Sequence, residues 1–410
     1  MIKKAFLFPG QGVQYMGMGK VLCQNFKAAA DVFEEAGDSL GMDIGKLCFD
    51  SSLEELTLTE NAQPAILTVS TAMYRVYLNE IGVRPDIMAG HSLGEISALT
   101  CAGAIQFIDA VKLARMRGKF MQEAVKKGEG MMAAVQIRDV EKLRGICEEL
   151  QGKNEQVSIS NYNTGIQTVI AGTRSGVSKA MEILEKDGIK STELNVSAPF
   201  HCPLMQPAAD RFKEELEKYR YSDPDCIVLS NVTGQPYTGK EAVSDNLFQQ
   251  IISPVQWTAS MTYLKRSMVR YCLEIGPKHV LREMMKKNIA DIPVFSLDEE
   301  EDIKAAKQYI EKAYIPFLAR VMGIAVATKN NNFNDQEYAD GVIAPYMQIQ
   351  KLQTEIENEK RKATDEEMNL AIEMLKKIFA TKKVSEEEQK ERFRQLFNET
   401  GTEEKFAHLI

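Results

Sequence analysis

No apolar run in this 410-residue sequence approaches the roughly 18 residues that a membrane-spanning helix requires, so a membrane protein is not expected. Positive charge is in deficit, 50 Lys and Arg against 58 Asp and Glu. The resulting net charge of −8 argues against nucleic-acid binding and for an acidic, soluble chain. The seven cysteines are scattered singly without a C-x-x-C pair, which suggests neither a disulfide framework nor a zinc site. Neither G-x-x-x-x-G-K-[ST] nor G-x-G-x-x-G occurs in its structural context, so no nucleotide cofactor is called for, and no metal or other cofactor is expected. The apolar run at residues 5–8 is too short for a signal-peptide core, and a cytoplasmic protein is expected.

What is present centres on Gly90-His91-Ser92-Leu93-Gly94-Glu95, a G-x-S-x-G pattern. An apolar stretch at 85–89 can form a buried strand before it, and 93–104, rich in Ala, Leu and Ile, can form a helix after it. A serine between glycines at such a corner is held in a tight, exposed turn. The helix that starts there offers free N–H groups and a positive dipole end to a developing oxyanion. The first strand, residues 5–8, ends in Pro9-Gly10-Gln11-Gly12 and places the Gln11 amide at the strand edge where open α/β sheets form sites. Helices are expected at 31–40, 61–81 and 108–125, the last carrying Arg117.

From Gly128 the period changes to strands at 131–137, 157–161, 167–172 and 191–196 with helices at 140–150 and 177–186. That βαββαβ order is ferredoxin-like. Strands at 226–231 and 271–275 then return to the main sheet. Beyond 297 the chain is dense in Glu and Lys at helical spacing, notably at 298–312 and 355–383, as solvated helix faces are. The fold expected is α/β: a large α/β-hydrolase-like domain (1–127 and 199–296), an inserted ferredoxin-like subdomain (128–198) and a C-terminal helical extension (297–410).

A serine nucleophile needs a base, and the sequence offers four histidines besides its carboxylates. His91 adjoins Ser92 and should point away from it, and His408 lies near the end of the tail. His279 follows Gly276-Pro277 at a strand end and stays open as a candidate. His201 sits in the Pro-bracketed segment Pro199-Phe200-His201-Cys202-Pro203, on the route to the cleft between the two subdomains.

Phe8-Pro9-Gly10-Gln11-Gly12, Gly90 through Glu95, Arg117-Gly118 with Met121-Gln122, and Pro199-Phe200-His201 resemble, in order and spacing, the malonyl-CoA:acyl carrier protein transacylases. The resemblance spans about residues 1–296. It departs at Ser253-Pro254, where the family usually has Asn before the Pro. It implies Ser92 as nucleophile, His201 as its base and Arg117 as partner of the malonyl carboxylate. It further implies Gln11 and the Leu93 N–H at the oxyanion, with His91, Met121 and Phe200 around the acyl group. The backbone carbonyl of Gln256 would steady His201, giving a Ser-His dyad. The implied reaction is ping-pong transfer of malonyl from malonyl-CoA to an acyl carrier protein. Phe200 would narrow the site toward malonyl over methylmalonyl.

Residues 325–330, 338–341 and 345–346 resemble the segment after the catalytic domain in free-standing acyltransferases of trans-acyltransferase polyketide synthases. That implies polyketide synthase carrier domains as acceptors. Two other functions are weighed: an acyl hydrolase of the same fold that clears stalled acyl groups, for which a buried cation at Arg117 has no use, and a non-catalytic docking scaffold. Lys286-Lys287 with Arg282 forms a basic patch that an acidic carrier could use.

Overall fold

The computed structural model describes residues 3–126, 128–313, 315–359 and 361–409. They fall into two compact units, one of Lys3–Ala306 and a helical one from Lys307 onward. The expected boundary at Lys127 and the terminal Ile410 lie outside the described residues.

Nine strands are described: β1 (Lys4–Phe8), β2 (Ile87–Gly90), β3 (Gly130–Gln136), β4 (Val157–Thr164), β5 (Gln167–Thr173), β6 (Ser191–Glu193), β7 (Ile227–Leu229), β8 (Tyr271–Glu274) and β9 (Val294–Ser296). Five of them make a parallel sheet in the order β7-β2-β1-β8-β9. Strands β1, β2 and β8 are buried along their whole length, which is why they read as unbroken apolar runs rather than alternating ones. On one face Phe6 meets Tyr74 and Tyr77 of the helix Thr59–Ile81 edge-on. On the other, Ala5, Leu7, Ile87 and Ala89 pack with Trp257, Met261 and Leu264. Each large apolar side chain so buried contributes about 1.5–3 kcal/mol.

The other four strands form an antiparallel sheet in the order β4-β5-β3-β6, interrupted by the helices Val140–Gln151 and Arg174–Lys186. Side chains alternate across its strands. Met131, Ala133, Val135 and Ile170 pack with Leu143, Leu150, Val177 and Leu184 of the helices. Met132 and Val169 point instead into a cavity shared with the parallel sheet. Two register shifts along β4 bend it there, and its Tyr162 N–H donates to the Val255 carbonyl, just before the helix Trp257–Arg266.

The helical unit has a core of its own. Phe317, Val321, Leu375, Phe379, Leu396 and Phe397 are buried together from the helices Phe317–Ala327, Asp365–Thr381 and Glu386–Thr400. The charged stretch 355–383 does not continue as one helix. One helix ends at Asn358, and Thr364 and Glu367 form a capping box that starts the next. Each of the two satisfies the other's free backbone N–H, a start signal that charge density had masked.

Candidate active site

Strand β2 meets the helix Leu93–Cys101 at Ser92, whose backbone is at φ 54°, ψ −111°. A non-glycine residue held there costs on the order of 1–3 kcal/mol and persists only if its surroundings enforce it. They do. A Cβ on Gly90 would stand 1.9 Å from the backbone of Gly94, and one on Gly94 would stand 2.0 Å from the Phe8 carbonyl oxygen. The Asn231 side chain spans the corner, accepting from the Ser92 N–H (2.7 Å) and donating to the Gly90 carbonyl (2.6 Å). His201 also has positive φ, at 59°.

The Ser92 hydroxyl lies 2.8 Å from His201 Nε2, and His201 Nδ1 lies 2.7 Å from the main-chain oxygen of Gln250. A carbonyl only accepts, so Nδ1 carries the proton and Nε2 is left to accept from the serine. Burial, and after it the nearby Arg117 charge, pushes His201 down to about 3. The imidazole is therefore neutral throughout the physiological range.

The carbonyl behind His201 belongs to Gln250, not to Gln256 as the resemblance implied. The reason is local. Gln256 immediately precedes the helix Trp257–Arg266, and its carbonyl is taken by Ser260 N–H at 3.0 Å. Gln250 lies in the last turn of Glu241–Ile252, where the carbonyls have no intrahelical partner. The sequence signal was Pro254, since a helix usually stops before the residue preceding a proline.

Arg117 is buried on the helix Phe107–Glu123. Its Nη1 donates to Gln63 Oε1 (2.8 Å), and its Nη2 donates to Gln250 Oε1 (2.6 Å) and to Ser92 Oγ (3.1 Å). Its Nε is buried and unpartnered. Burial lowers it to about 10, opposed by the charge of Glu95, so it stays cationic near neutrality. Among the described residues no carboxylate pairs with it directly.

A cavity of about 190 Å³ joins the expected residues: Gln11, His91, Ser92, Leu93, Arg117, Met121, Phe200 and His201 all line it. Gln11 Nε2 donates to Thr59 Oγ1 (3.2 Å), and the Leu93 N–H heads its helix, where no intrahelical acceptor exists. His91 turns from the serine toward Asn163 Oδ1 at 3.0 Å, and burial lowers it. His279 is no base for Ser92, being engaged with Glu299 at 2.8 Å. His408 belongs to the helical unit. In the basic patch, Arg282 pairs with Asp302 and Glu283, and Lys286 with Glu283. Sequence reasoning missed Gln63, Asn231, Tyr237 and Gln250, and left Glu95 unassigned inside the motif that contains it.

Residues 5–313 match the acyl transferase domain family. A malonyl CoA-acyl carrier protein transacylase of Bacillus subtilis is 38% identical over 391 residues, covering 94% of this chain and 98% of that protein. One of Escherichia coli strain K12 is 42% identical over 307 residues, 75% of this chain and 99% of that protein. Among solved structures, a malonyl-transacylase in complex with its type II PKS acyl-carrier protein superposes with a TM-score of 0.72 at 38% identity, covering 74% and 98% of the two chains.

Proposed function

Since the chain belongs to the acyl transferase domain family, among the malonyl CoA-acyl carrier protein transacylases, we propose that it moves malonyl from malonyl-CoA to the phosphopantetheine thiol of an acyl carrier protein through a malonyl ester on Ser92. One observation carries this reading: a single hydroxyl is hydrogen-bonded at once by a neutral imidazole at 2.8 Å and a buried guanidinium at 3.1 Å. A nucleophile beside its base and beside a fixed cation suits an acyl group that bears its own carboxylate.

In the proposed reaction His201 Nε2 takes the hydroxyl proton as Ser92 Oγ bonds the thioester carbon. The carbonyl electrons move to oxygen, where the Leu93 N–H and Gln11 receive them. They return as the C–S bond breaks, and the departing CoA sulfur takes the proton from His201. The carrier's thiol then repeats the sequence, giving its proton to His201 and displacing Ser92, which is reprotonated. Arg117 holds the malonyl carboxylate in both halves. Phe200 on the cavity wall supports malonyl over the bulkier methylmalonyl group.

We read the parallel sheet as an α/β-hydrolase-like core and the βαββαβ insertion as ferredoxin-like, which the two strand orders support. Polyketide synthase carrier domains are proposed as the acceptors. The support is the helical unit, whose length the Bacillus subtilis match takes in and the Escherichia coli match does not. Intact-protein mass spectrometry tests the reaction. Mixing with malonyl-CoA is expected to add one malonyl mass that a carrier domain then removes, and Ser92→Ala is expected to gain none. A malonyl mass on Ser92→Ala, or none on the native chain, would refute the assignment.

A further inference from the structure

Glu95 closes the G-x-S-x-G-E run, yet it is fully buried and its carboxylate makes no hydrogen bond to Ser92, His201 or Arg117. One carboxylate oxygen accepts from the Tyr237 hydroxyl (2.5 Å), the other from Gln250 Nε2 (2.5 Å). The same Gln250 amide donates to the Ser92 carbonyl (3.0 Å), and its Oε1 accepts from Arg117 Nη2 (2.6 Å). Gln250 therefore stands between a carboxylate and a guanidinium. An ionised carboxylate can only accept and a guanidinium can only donate, so one amide orientation satisfies both. Turned over, the amide would set its NH2 against the NH2 of Arg117 and its oxygen against Glu95.

Resting on the malonyl-transfer reading above, we propose that Glu95 is a positioning residue: acting through Gln250, its ionised carboxylate fixes the amide that presents Arg117 to the acyl carboxylate. The spacing has a second effect. With Gln250 interposed, Glu95 supplies a counter-charge to Arg117 without occupying the donors that a substrate carboxylate needs.

Protonation would weaken the constraint, because a carboxylic acid both donates and accepts: Gln250 would then be held in this orientation by Arg117 and the Ser92 carbonyl alone, and Arg117 would lose its counter-charge. Burial raises Glu95 to about 7, opposed by its bonds from Tyr237, Gln250 and the Asn231 backbone and by the Arg117 charge. Its place in the first turn of Leu93–Cys101 also favours the anion. The other titratable groups facing this network do not change charge near neutrality. Tyr237 is raised well above its ordinary value, Arg117 remains cationic, and His201 and His91 are neutral. The sign follows: raising the pH through about 7 ionises Glu95, fixes Gln250 and improves malonyl capture.

The experiment measures acyl-enzyme formation, as kcat/KM, for malonyl-CoA and acetyl-CoA with the full chain from about pH 6 to about pH 8. Acetyl-CoA carries the same CoA phosphates and lacks only the carboxylate, so it reports any effect not routed through that carboxylate. For the native chain the malonyl value is expected to fall about fivefold from about pH 8 to about pH 6 relative to the acetyl value. Glu95→Gln, which like the protonated acid both donates and accepts, is expected to remove that slope. It should hold malonyl capture at the low level about tenfold below native while leaving acetyl-CoA loading unchanged. Parallel malonyl and acetyl profiles in the native chain would overturn the proposal even if the variant fails to fold. So would a slope that persists in Glu95→Gln. Absence of any malonyl adduct on the native chain at about pH 8 would instead refute the reaction itself.

Discussion

Replacing Arg117 by alanine is expected to lower kcat/KM for malonyl-CoA by about two to four orders of magnitude while changing acetyl-CoA loading far less. The estimate rests on two hydrogen bonds to a charged group, each contributing about 1.5–3 kcal/mol where water is excluded. Gln63 and Gln250 fix the guanidinium from two sides, so little rotational freedom is lost when a carboxylate arrives. Arg117→Lys keeps a charge without the planar fork and should recover only part of the preference. Competition between malonyl- and acetyl-CoA, read as the ratio of adduct masses, measures it directly. A ratio unchanged in Arg117→Ala would remove the residue from substrate recognition. Thermal unfolding should be followed in parallel, because the change also strips two buried amide oxygens of their donor.

The second large effect is expected at Gly94. Its alanine variant would bring a Cβ to 2.0 Å from the Phe8 carbonyl oxygen and 2.7 Å from its carbon. Both belong to β1, at the centre of the parallel sheet, and no side-chain rotation can clear them. Either the sheet or the corner must shift. The expected result is a chain destabilised by about 3 kcal/mol or more that forms no malonyl adduct. Gly145 provides the contrast. It lies inside the helix Val140–Gln151, and a Cβ placed on it would meet nothing within 4 Å. Gly145→Ala is therefore expected to stabilise the fold by about 0.5–1 kcal/mol. A melting temperature for Gly94→Ala equal to that of Gly145→Ala would show that the glycine spacing does not enforce the corner.

That contrast also marks what the chain discloses on reading. The Ser92 corner is legible because backbone crowding leaves no residue but glycine at 90 and 94, and a constraint so local survives in the sequence. The faces of β3 and β5 were not legible in the same way, since Met131 through Val135 are all apolar and only the fold turns Met132 and Val169 to the cavity. Gln250 was not legible as the support of His201, because it acts there through a carbonyl that every residue possesses. Only the end of its helix before Pro254 betrays it. Glu95 was in plain view, but an acid in a helix's first turn is ordinarily solvated. Its burial comes from Tyr237 and Gln250, more than 140 residues away along the chain. The helical unit hid its apolar core behind Glu and Lys in a similar way, by carrying them on its outward faces.

The imidazole of His201 leans on a peptide oxygen and has a guanidinium at the far side of the hydroxyl it serves. Charging that ring is costly, so in the proposed reaction it shelters a proton only briefly and passes it on. A leaving sulfur tolerates this, because a thiol with a pKa of about 8.5 departs nearly as an anion. A leaving amine does not, since it requires full protonation before the bond parts. The same fragile acid that would stall on a peptide thus suits the proposed exchange between two thiols. With sulfur departing in one half-reaction and sulfur entering in the other, the traffic is chemically symmetrical and runs in whichever direction the concentrations of the two thioesters dictate.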